Sequence, residues 1–402
     1  MSDQINVPAG YWASEVGVIP EEWKVKILDD LIDRLESGVS VNSVEGENLS
    51  YLNDKCILKT SAVFAGCFKP SESKKIAARD IKRARLSPRR DTILISRMNT
   101  PQLVGECGYV GADFPNLYVP DRLWMTRFYP KAQVCPQWLS LLLSTQKYRE
   151  KIKDSATGTS DSMKNISKDS LLSLEIPFPL LPEQEAIASA LRDVDDLLDA
   201  QNALVAKKRD LKTAALDELL TPKRRLPGFL GEWEEKTLGE VLKVRHGKSQ
   251  VQVAEQNGPF PILASGGEIG RANTFLYDKP SVLIGRKGTI DRPQYMETPF
   301  WTVDTLFFTE VFPSSDAKFL FYLFQTVPWR DFNEASGVPS LNASTIEAIQ
   351  FKAPLLAEQK AIAEVLSDMD AEIASLEAER DKTRQLKSAM MDELLSGRTR
   401  LL

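Results

Sequence analysis

The segment closest to a ligand-binding or catalytic motif is "HGKS", at His246–Ser249. A phosphate-binding loop ends in this way, but it also needs a glycine five positions before Gly247, where this chain has Leu242. His246, the single histidine of the sequence, stands beside Arg245 and belongs to no convincing set of serine, histidine and aspartate. The segment therefore predicts a polar turn after a strand, with an exposed His246.

The other reactive side chains show no catalytic spacing either. The cysteines, Cys56, Cys67, Cys107 and Cys135, form no CxxC pair, and one histidine is too few to complete a zinc site with them. The Asn-Pro-Pro-aromatic tetrapeptide of amino-methyltransferases is absent, and the acidic run at Asp193–Asp196 is typical of a solvated helix face. We predict free thiols, no catalytic residue, no metal site and no cofactor bound by this chain.

The composition is that of a globular protein with more than one domain. A length of 402 residues favours two or three domains, and 43% hydrophobic with 27% charged residues shows no bias towards disorder. No apolar run is long enough to span a bilayer, and the first residues, "MSDQINVPAG", lack the pattern of a secretion signal. We expect a cytoplasmic protein with no membrane partner. A net charge of −5 means that nucleic-acid binding would depend on local charge.

A segment of 48 residues occurs twice. "PLLPEQEAIASALRDVDDLLDA" begins at Pro179 and "PLLAEQKAIAEVLSDMDAEIAS" at Pro354, and 23 of 48 positions are identical between 179–226 and 354–401, where both copies end on Arg-Leu. Apolar residues three and four apart predict two long amphipathic helices with a coiled-coil-like seam. The first, about Pro182–Leu220, would be about 58 Å long. The predicted packing residues are Ile187, Leu191, Val194, Leu198, Leu211, Leu219, Ile362, Leu366, Met369, Ile373, Leu386 and Leu394.

The regions before the helices repeat more faintly, in the same order. "PEEWKVKILDDLI" matches "LGEWEEKTLGEVL", while "DTILISRMN" and "PSVLIGRKG" place Arg97 opposite Arg286. "VPDRLWMTRFYP" and "TVDTLFFTEVFP" place Asp121 opposite Asp304, and each set continues into one helix-like run and a glycine-containing loop, "SATGTSDSMKNIS" or "EASGVPSLNAS". The repeat unit is thus a globular domain followed by a long helix, and the first domain is about 35 residues longer.

The domains have the pattern of mixed α/β (α+β) units. Runs such as Thr92–Arg97 and Val282–Arg286 have a β-type alternating pattern, and short turns separate them. After the first helix, "TPKRRLPGFLGEW" leads into the second domain, whereas "SGRTRLL" follows the second helix, so we expect a circular repeat. The predicted boundaries are 1–178 for the first domain, 179–226 for the central helix, 227–353 for the second domain and 354–402 for the C-terminal helix.

Local positive charge indicates a DNA-binding function. Residues 69–97 contain ten basic against three acidic residues, which would attract a phosphate backbone, and arginine also reads guanine edges. Residues 227–353 contain 12 basic and 15 acidic residues, but the basic ones cluster beside glycines. Exposed, merely solvated surface is the alternative for both regions. The predicted DNA-binding residues are Lys74, Lys75, Arg79, Lys82, Arg83, Arg85, Arg89, Arg90, Arg97, Arg245, His246, Lys248, Arg286, Lys287 and Arg292.

Together these features resemble the specificity (S) subunit of type I restriction-modification systems. The resemblance lies in "LPEQEAIASAL…DELL" returning as "LAEQKAIAEVL…DELL", in the openings "IPEEW" and "GEWEEKTLGEV", and in "NISKDSLLSLEIPFPLLPEQ" before the first helix. It covers essentially the whole chain and is most specific in the helices. Ala357 departs from the proline found at Pro182, which weakens the start of the second helix slightly.

The resemblance implies two target-recognition domains and two conserved helices that pack antiparallel around a pseudo-twofold. Each domain would read one half of a bipartite, asymmetric site in double-stranded DNA. Two modification subunits, which bind S-adenosylmethionine and methylate adenine, would dock onto the chain, and motor-nuclease restriction subunits, which use ATP with Mg, would join them. The family's specificity subunit has no catalytic activity, in agreement with the motif search.

Two rival functions belong to other classes. The paired helices could form a scaffold or adaptor whose globular domains bind protein, although the basic segment at residues 69–97 counts against it. The chain could also be an unrecognised nuclease or methyltransferase, in which case it would turn over DNA on its own with Mg²⁺ or S-adenosylmethionine.

Overall fold

The chain divides into two compact units that share two long helices. The computed structural model describes residues 7–44, 51–160 and 163–401. The first unit comprises residues 1–199 and 381–402, and the second comprises residues 200–380. Since the long helices cross this division, each unit holds one globular domain, the start of one long helix and the end of the other.

The first unit is built around a six-stranded sheet. Its helices are α1 (Pro136–Leu143), α2 (Gln146–Asp154), α3 (Lys168–Leu172) and the first half of α4 (Leu181–Leu219). Its strands are β1 (Tyr11–Ser14), β2 (Gly17–Pro20), β3 (Lys24–Ile27), β4 (Ile32–Ser37), β5 (Ser43–Val44), β6 (Cys56–Leu58), β7 (Val63–Phe64), β8 (Gly66–Phe68), β9 (Ser73–Ile76), β10 (Thr92–Ser96), β11 (Met98–Asn99), β12 (Cys107–Val110), β13 (Leu117–Tyr118), β14 (Leu123–Phe128), β15 (Thr157–Ser160), β16 (Met163–Asn165) and β17 (Glu175–Phe178). The main sheet has the order β4-β14-β10-β12-β8-β7, and a second sheet has the order β13-β6-β9-β5.

The second unit repeats this plan with fewer strands. Its helices are the second half of α4, α5 (Ala317–Thr326), α6 (Ala343–Glu347) and most of α7 (Leu356–Leu394). Its strands are β18 (Glu234–Thr237), β19 (Leu242–His246), β20 (Phe260–Ala264), β21 (Gly267–Ala272), β22 (Ser281–Gly285), β23 (Gln294–Met296), β24 (Trp301–Thr302), β25 (Leu306–Val311) and β26 (Gln350–Ala353). The main sheet has the order β19-β25-β22-β23, and the second sheet has the order β21-β20-β24.

The two runs predicted to have β-type structure form central strands of the main sheets and are buried on both faces. In β10, Ile93 and Ile95 belong to the hydrophobic cluster that includes α1, whereas Leu94 belongs to a separate cluster on the other face. In β22, Ile284 and Leu283 divide between two clusters in the same way. Each domain also has more than the one helix that we predicted, because short helices follow α1 and α5.

The two long helices bury residues at strict seven-residue spacing. On α4 the buried positions include Leu191, Leu198 and Leu219, and on α7 they include Leu366 and Leu394. Ile187, Ile362 and Ile373 are also buried, while Val194 and Met369 are half-buried. This spacing is typical of a coiled-coil seam.

The predicted packing role is wrong for Leu211 and Leu386, which are 48% and 56% exposed. The seven-residue spacing reaches the following residue in each helix, Lys212 on α4 and Lys387 on α7. A lysine can bury its aliphatic stem while its ammonium group stays paired at the surface. Lys387 Nζ lies 2.6 Å from Asp195, on the seam of the first unit. In the second unit Lys212 makes the equivalent ion pair with Asp370 at 2.5 Å.

A buried carboxylate at the start of each long helix binds an arginine that follows the end of the other long helix. In the first unit, Arg400 Nη2 lies 2.9 Å from Glu183 Oε2, and its guanidinium stacks 5.8 Å from the Trp23 ring. In the second unit, Arg225 donates two hydrogen bonds of 2.6 Å to Glu358. Its guanidinium lies 5.9 Å from Trp233. We call these two sets the arginine latches; both glutamates are only 1% exposed.

The glutamine after each latch glutamate connects the long helix to its globular domain. Gln184 Oε1 accepts from the backbone N–H of Cys135, the residue before α1, at 2.8 Å. Gln359 Oε1 accepts from the N–H of Asp316, the residue before α5, at 2.9 Å. The side-chain amide of each glutamine donates to the carbonyl of the proline five residues earlier. The repeated Glu-Gln pair thus connects the start of each long helix to two partners: the glutamate binds the latch arginine, and the glutamine binds the globular domain.

We expect Glu183→Gln to lower the free energy of unfolding by about 2 kcal/mol, because Arg400 then keeps its charge without a buried counter-ion. The loss is smaller than for a fully buried pair, since Arg400 also binds Glu22 and is partly exposed. Urea denaturation followed by circular dichroism measures it. Glu185→Gln, at an exposed neighbouring position, is the matched control. Equal stability of the two variants would contradict the latch.

Candidate nucleic-acid interface

The ends of equivalent strands meet at one edge of each main sheet. In the first unit, β4 and β10 both run antiparallel to β14, so their carboxyl ends lie at the same edge. In the second unit, β19 and β22 both run antiparallel to β25. This edge, called here the loop edge, carries Gly38 and Arg97 in the first unit and residues 246–248 and 286–287 in the second. The two basic clusters predicted in the second domain are therefore brought together.

Arg97 leaves the end of β10 in a fixed backbone position. Its N–H donates to the carbonyl of Arg122 at 3.0 Å, and its carbonyl accepts from the N–H of Ile166 at 2.9 Å. The guanidinium lies 5.6 Å from the ring of Trp124, which is a cation–π distance. Ile166 lies in the glycine-containing loop, of which residues 161 and 162 are outside the described part of the chain. The end of β10, the turn at residues 121–122 and the glycine-containing loop therefore meet at Arg97.

Arg286 has the same backbone environment in the second unit. Its N–H donates to the carbonyl of Thr305 at 2.9 Å, and its carbonyl accepts from the N–H of Leu341 at 2.9 Å. Its Nη1 reaches the carbonyl of Asp304 at 3.3 Å. The next residue, Lys287, is exposed. The predicted correspondence of Arg97 with Arg286, and of the two aspartates, therefore holds in three dimensions.

The glycine of "HGKS" is required by backbone packing. A Cβ atom at Gly247 would lie 2.0 Å from the carbonyl oxygen of Val303, far inside van der Waals contact. Its equivalent after β4, Gly38, would place a Cβ atom 1.6 Å from the carbonyl oxygen of Val119. His246 ends β19, and Lys248 donates its backbone N–H to the carbonyl of Thr302 at 2.8 Å, so a turn begins only at Val251 and not within this segment as predicted. His246 packs edge-on against Phe307 with ring centres 4.9 Å apart.

The basic segment of the first domain does not form one patch. Arg89 and Arg90 precede β10, whereas Arg97 follows it, so the strand separates them by about 17 Å. Lys69 lies between β8 and β9, and the remaining basic residues lie on β9, on the 3₁₀ helix Ala78–Arg83 and on the segment after it. The basic residues of 69–97 are therefore spread over both ends of β10, because the chain crosses the sheet between them, and their role in DNA binding stays a prediction.

Several predicted DNA-binding cations already have carboxylate partners. Lys75 pairs with Asp54 at 2.7 Å, Arg83 with Asp80 at 3.1 Å, and Arg245 with Glu310 at 2.8 Å. Arg90 lies 4.0 Å from Asp91, and Lys74 is not free either. Within residues 7–44, 51–160 and 163–401, no ion pair occupies the other predicted cations, which are Arg79, Lys82, Arg85, Arg89, Arg97, Lys248, Arg286, Lys287 and Arg292.

The thiols are unsuited to nucleophilic chemistry. Cys56, Cys67, Cys107 and Cys135 are free. Burial raises the pKa of Cys107 to about 12, and burial is also the main cause that raises the pKa of the other three. At neutral pH they are protonated and weakly reactive. Over the described residues, no group of three or more His, Cys, Asp or Glu side chains could hold a metal ion. The same residues include no helix that is long and apolar enough to cross a membrane.

Comparison with known proteins gives the family. A family model described as "Type I restriction modification DNA specificity domain" matches residues 20–207 and 231–384, more than four-fifths of the chain. The chain belongs to this family. The two matched ranges correspond to the two halves of the internal repeat. Family membership confirms the predicted resemblance and identifies the chain as a type I specificity subunit, which recognises DNA, assembles with other subunits and is not itself an enzyme.

Relatives and solved structures agree with this assignment. A type I restriction enzyme specificity subunit (MjaX) of Methanocaldococcus jannaschii is 23% identical, over 96% of each chain. The crystal structure of the type I S subunit from M. genitalium superposes with a TM-score of 0.61 at 20% identity and covers 92% of this chain and 96% of that one. A chain from a study of assembly and conformational transition of the type I R-M system gives 0.58 at 15% identity, with 95% and 99% covered. The predicted fold of this specificity subunit, two target-recognition domains with two long antiparallel helices, is confirmed.

We expect Gly247→Ala to destabilise the specificity subunit by about 1 to 3 kcal/mol, because the new methyl group must displace the backbone of Val303. Differential scanning calorimetry of the purified chain measures the effect. Gly266→Ala is the matched control, since a Cβ atom there meets nothing within 4 Å. If both variants melted at the same temperature, the close approach at the loop edge would be disproved.

Proposed function

We propose that this specificity subunit reads a bipartite, asymmetric site in double-stranded DNA, one half through the loop edge of each unit. The observation that carries the proposal is the equivalence of Arg97 and Arg286. Both follow a central strand whose last four residues are buried, and both are held by the same pair of backbone hydrogen bonds. Two equivalent positions with different neighbours suit a DNA site whose halves differ in sequence.

The chemistry of the loop edge suits base recognition in the major groove. An arginine can donate two hydrogen bonds to O6 and N7 of guanine, which discriminates against other bases by about 1 to 3 kcal/mol. Stacking on Trp124 limits the directions that the Arg97 guanidinium can take. The exposed ammonium groups of Lys248 and Lys287 lie at the same edge as Arg286 and would contact phosphates. The side chains carried at these fixed backbone positions would then determine which base sequence is recognised.

The repeated helices support the proposal that two identical modification subunits dock onto this chain. The ion pairs Lys212–Asp370 and Lys387–Asp195 are related by the same 175-residue offset as the sequence repeat, so each unit offers similar helix surfaces. The modification subunits would bind S-adenosylmethionine and methylate adenine, and motor-nuclease subunits using ATP with Mg would join for restriction. We assign recognition to residues 1–178 and 227–353, and assembly to 179–226 and 354–402.

We expect Arg286→Ala, in the complex with its methyltransferase partner, to weaken binding to the cognate duplex roughly tenfold to a hundredfold. Discrimination should relax only in the half-site read by the second unit, because the first loop edge is untouched. Competition binding with duplexes substituted one base pair at a time measures it. Lys279→Ala, before the start of β22 and thus at the opposite end of that strand, is the matched control. Equal relaxation in both half-sites would contradict the assignment.

A further inference from the structure

A 3₁₀ helix occupies the connection between β9 and β10 in the first unit. Residues 77–91 make this connection and include the helix Ala78–Arg83. In the second unit, the equivalent connection between β21 and β22 is residues 273–280, about half as long, without a helix and with one lysine. The correspondence follows from sheet order, because β6 pairs antiparallel with β9 and parallel with β13, as β20 does with β21 and β24. The basic helix therefore belongs to the first unit alone.

Three cations line the outer face of this connection. Arg79 and Lys82 are three residues apart within the 3₁₀ helix, which places them in register, about 6 Å apart along its axis. Arg85 follows the helix, after Ala84, whose backbone is extended. All three are exposed, and none of them forms an ion pair with a carboxylate among the described residues. We call them the cation row. Unpaired, exposed cations are available to a polyanion without breaking an existing ion pair.

The opposite face of the helix is anchored to the domain. Asp80, 5% exposed, accepts from the backbone N–H of Asn42 at 3.1 Å and from its side-chain amide at 2.7 Å, and it pairs with Arg83 at 3.1 Å. These contacts, the Asn42 N–H first, lower the pKa of Asp80, so the carboxylate is charged at neutral pH. Since Asp80 faces inward, the cation row is held outward.

The end of the cation row is fixed beside the loop edge. Leu86 adopts a positive φ of 66°, a left-handed conformation uncommon for leucine, and its carbonyl accepts from the N–H of Val119 at 2.9 Å. The carbonyl oxygen of Arg85 lies 3.0 Å from the position that a Cβ atom on Gly38 would take. Gly38 belongs to the loop edge, so Arg85 is adjacent to the proposed base-reading surface.

We propose that Arg79, Lys82 and Arg85 bind the phosphate backbone of DNA next to the half-site read by the first unit. The inference rests on the proposed function and adds a division of roles to it. Phosphates repeat along each strand of the duplex, so Arg79 and Lys82, about 6 Å apart along the 3₁₀ helix axis, can each contact a separate phosphate. Phosphate contacts position a protein but carry no base identity. The cation row therefore adds affinity and salt dependence without sequence preference.

The test is the salt dependence of DNA binding by the complete complex with its methyltransferase partner. The probes are a duplex containing a site mapped by adenine methylation and a scrambled duplex of equal length. The variant Arg79→Gln/Lys82→Gln/Arg85→Gln should reduce the slope of log K against log salt by about 2 to 3 on both duplexes. Lys82→Gln alone should reduce it by about 0.9. The ratio of the two binding constants should stay unchanged.

A second triple variant removes the same charge elsewhere. Arg34→Gln/Arg127→Gln/Lys131→Gln changes exposed residues near the opposite end of the main sheet, where β14 ends, and should leave the slope unchanged. A wild-type slope in the cation-row variant would overturn the inference. A changed ratio of the two binding constants would also overturn it, because the cations would then read bases. Weaker subunit assembly in sedimentation with unchanged DNA binding would overturn it too, because the cations would then bind an acidic protein partner. If the wild-type complex preferred neither duplex, the proposed function itself would fail instead.

Discussion

A buried carboxylate at the first turn of each long helix is the constraint on which both units depend. Glu183 and Glu358 are almost inaccessible to solvent, and an unpaired charge in such a place costs several kcal/mol. The cation that neutralises each one comes from the segment after the end of the other long helix, as Arg400 or Arg225. The start of one helix must therefore meet the end of the other. Antiparallel packing of the helix pair in each unit follows from this pairing.

The same helix start also fixes the position of the recognition domain. The glutamine that follows the carboxylate binds the first residue before α1 or α5, and these helices cover the central strand of each main sheet. Backbone geometry is then equivalent up to the ends of β10 and β22, where Arg97 and Arg286 begin the loops. The repeat therefore extends from the long helices to the backbone at the ends of these strands. The side chains that follow, such as Met98 and Lys287, differ between the two units, as different half-sites would require.

Much of the frame was predictable from sequence because it is repeated. The 175-residue offset predicted both long helices, and the matched landmarks placed Arg97 opposite Arg286. Leu211 and Leu386 were predicted as packing residues because they are apolar. The seam instead continues through Lys212 and Lys387, whose aliphatic stems pack while their charges pair with aspartates. The arginine latches were missed, although both copies end on Arg-Leu, since sequence spacing does not show which distant carboxylate is buried.

The surface proposed to contact DNA was less predictable for a physical reason. A run of ten basic residues reads as one patch in sequence, but the five residues of β10 carry the chain across the sheet and separate Arg90 from Arg97. Close approaches such as Gly38 to Val119 depend on segments far apart in the chain. Such close approaches are determined by pairing between strands that are far apart in the chain, and a local sequence pattern carries no information about that pairing.

The most direct test of the central claim is to exchange residues 227–353 for the corresponding domain of a relative and to map methylated adenines in cells by single-molecule sequencing. The arginine latches should keep the hybrid assembled, because Arg225 and Glu358, which form the second latch, both lie outside the exchanged segment and are retained. The account predicts that one half of the methylated site changes and the other half is retained. Methylation in which both halves change, or in which neither changes, would contradict it.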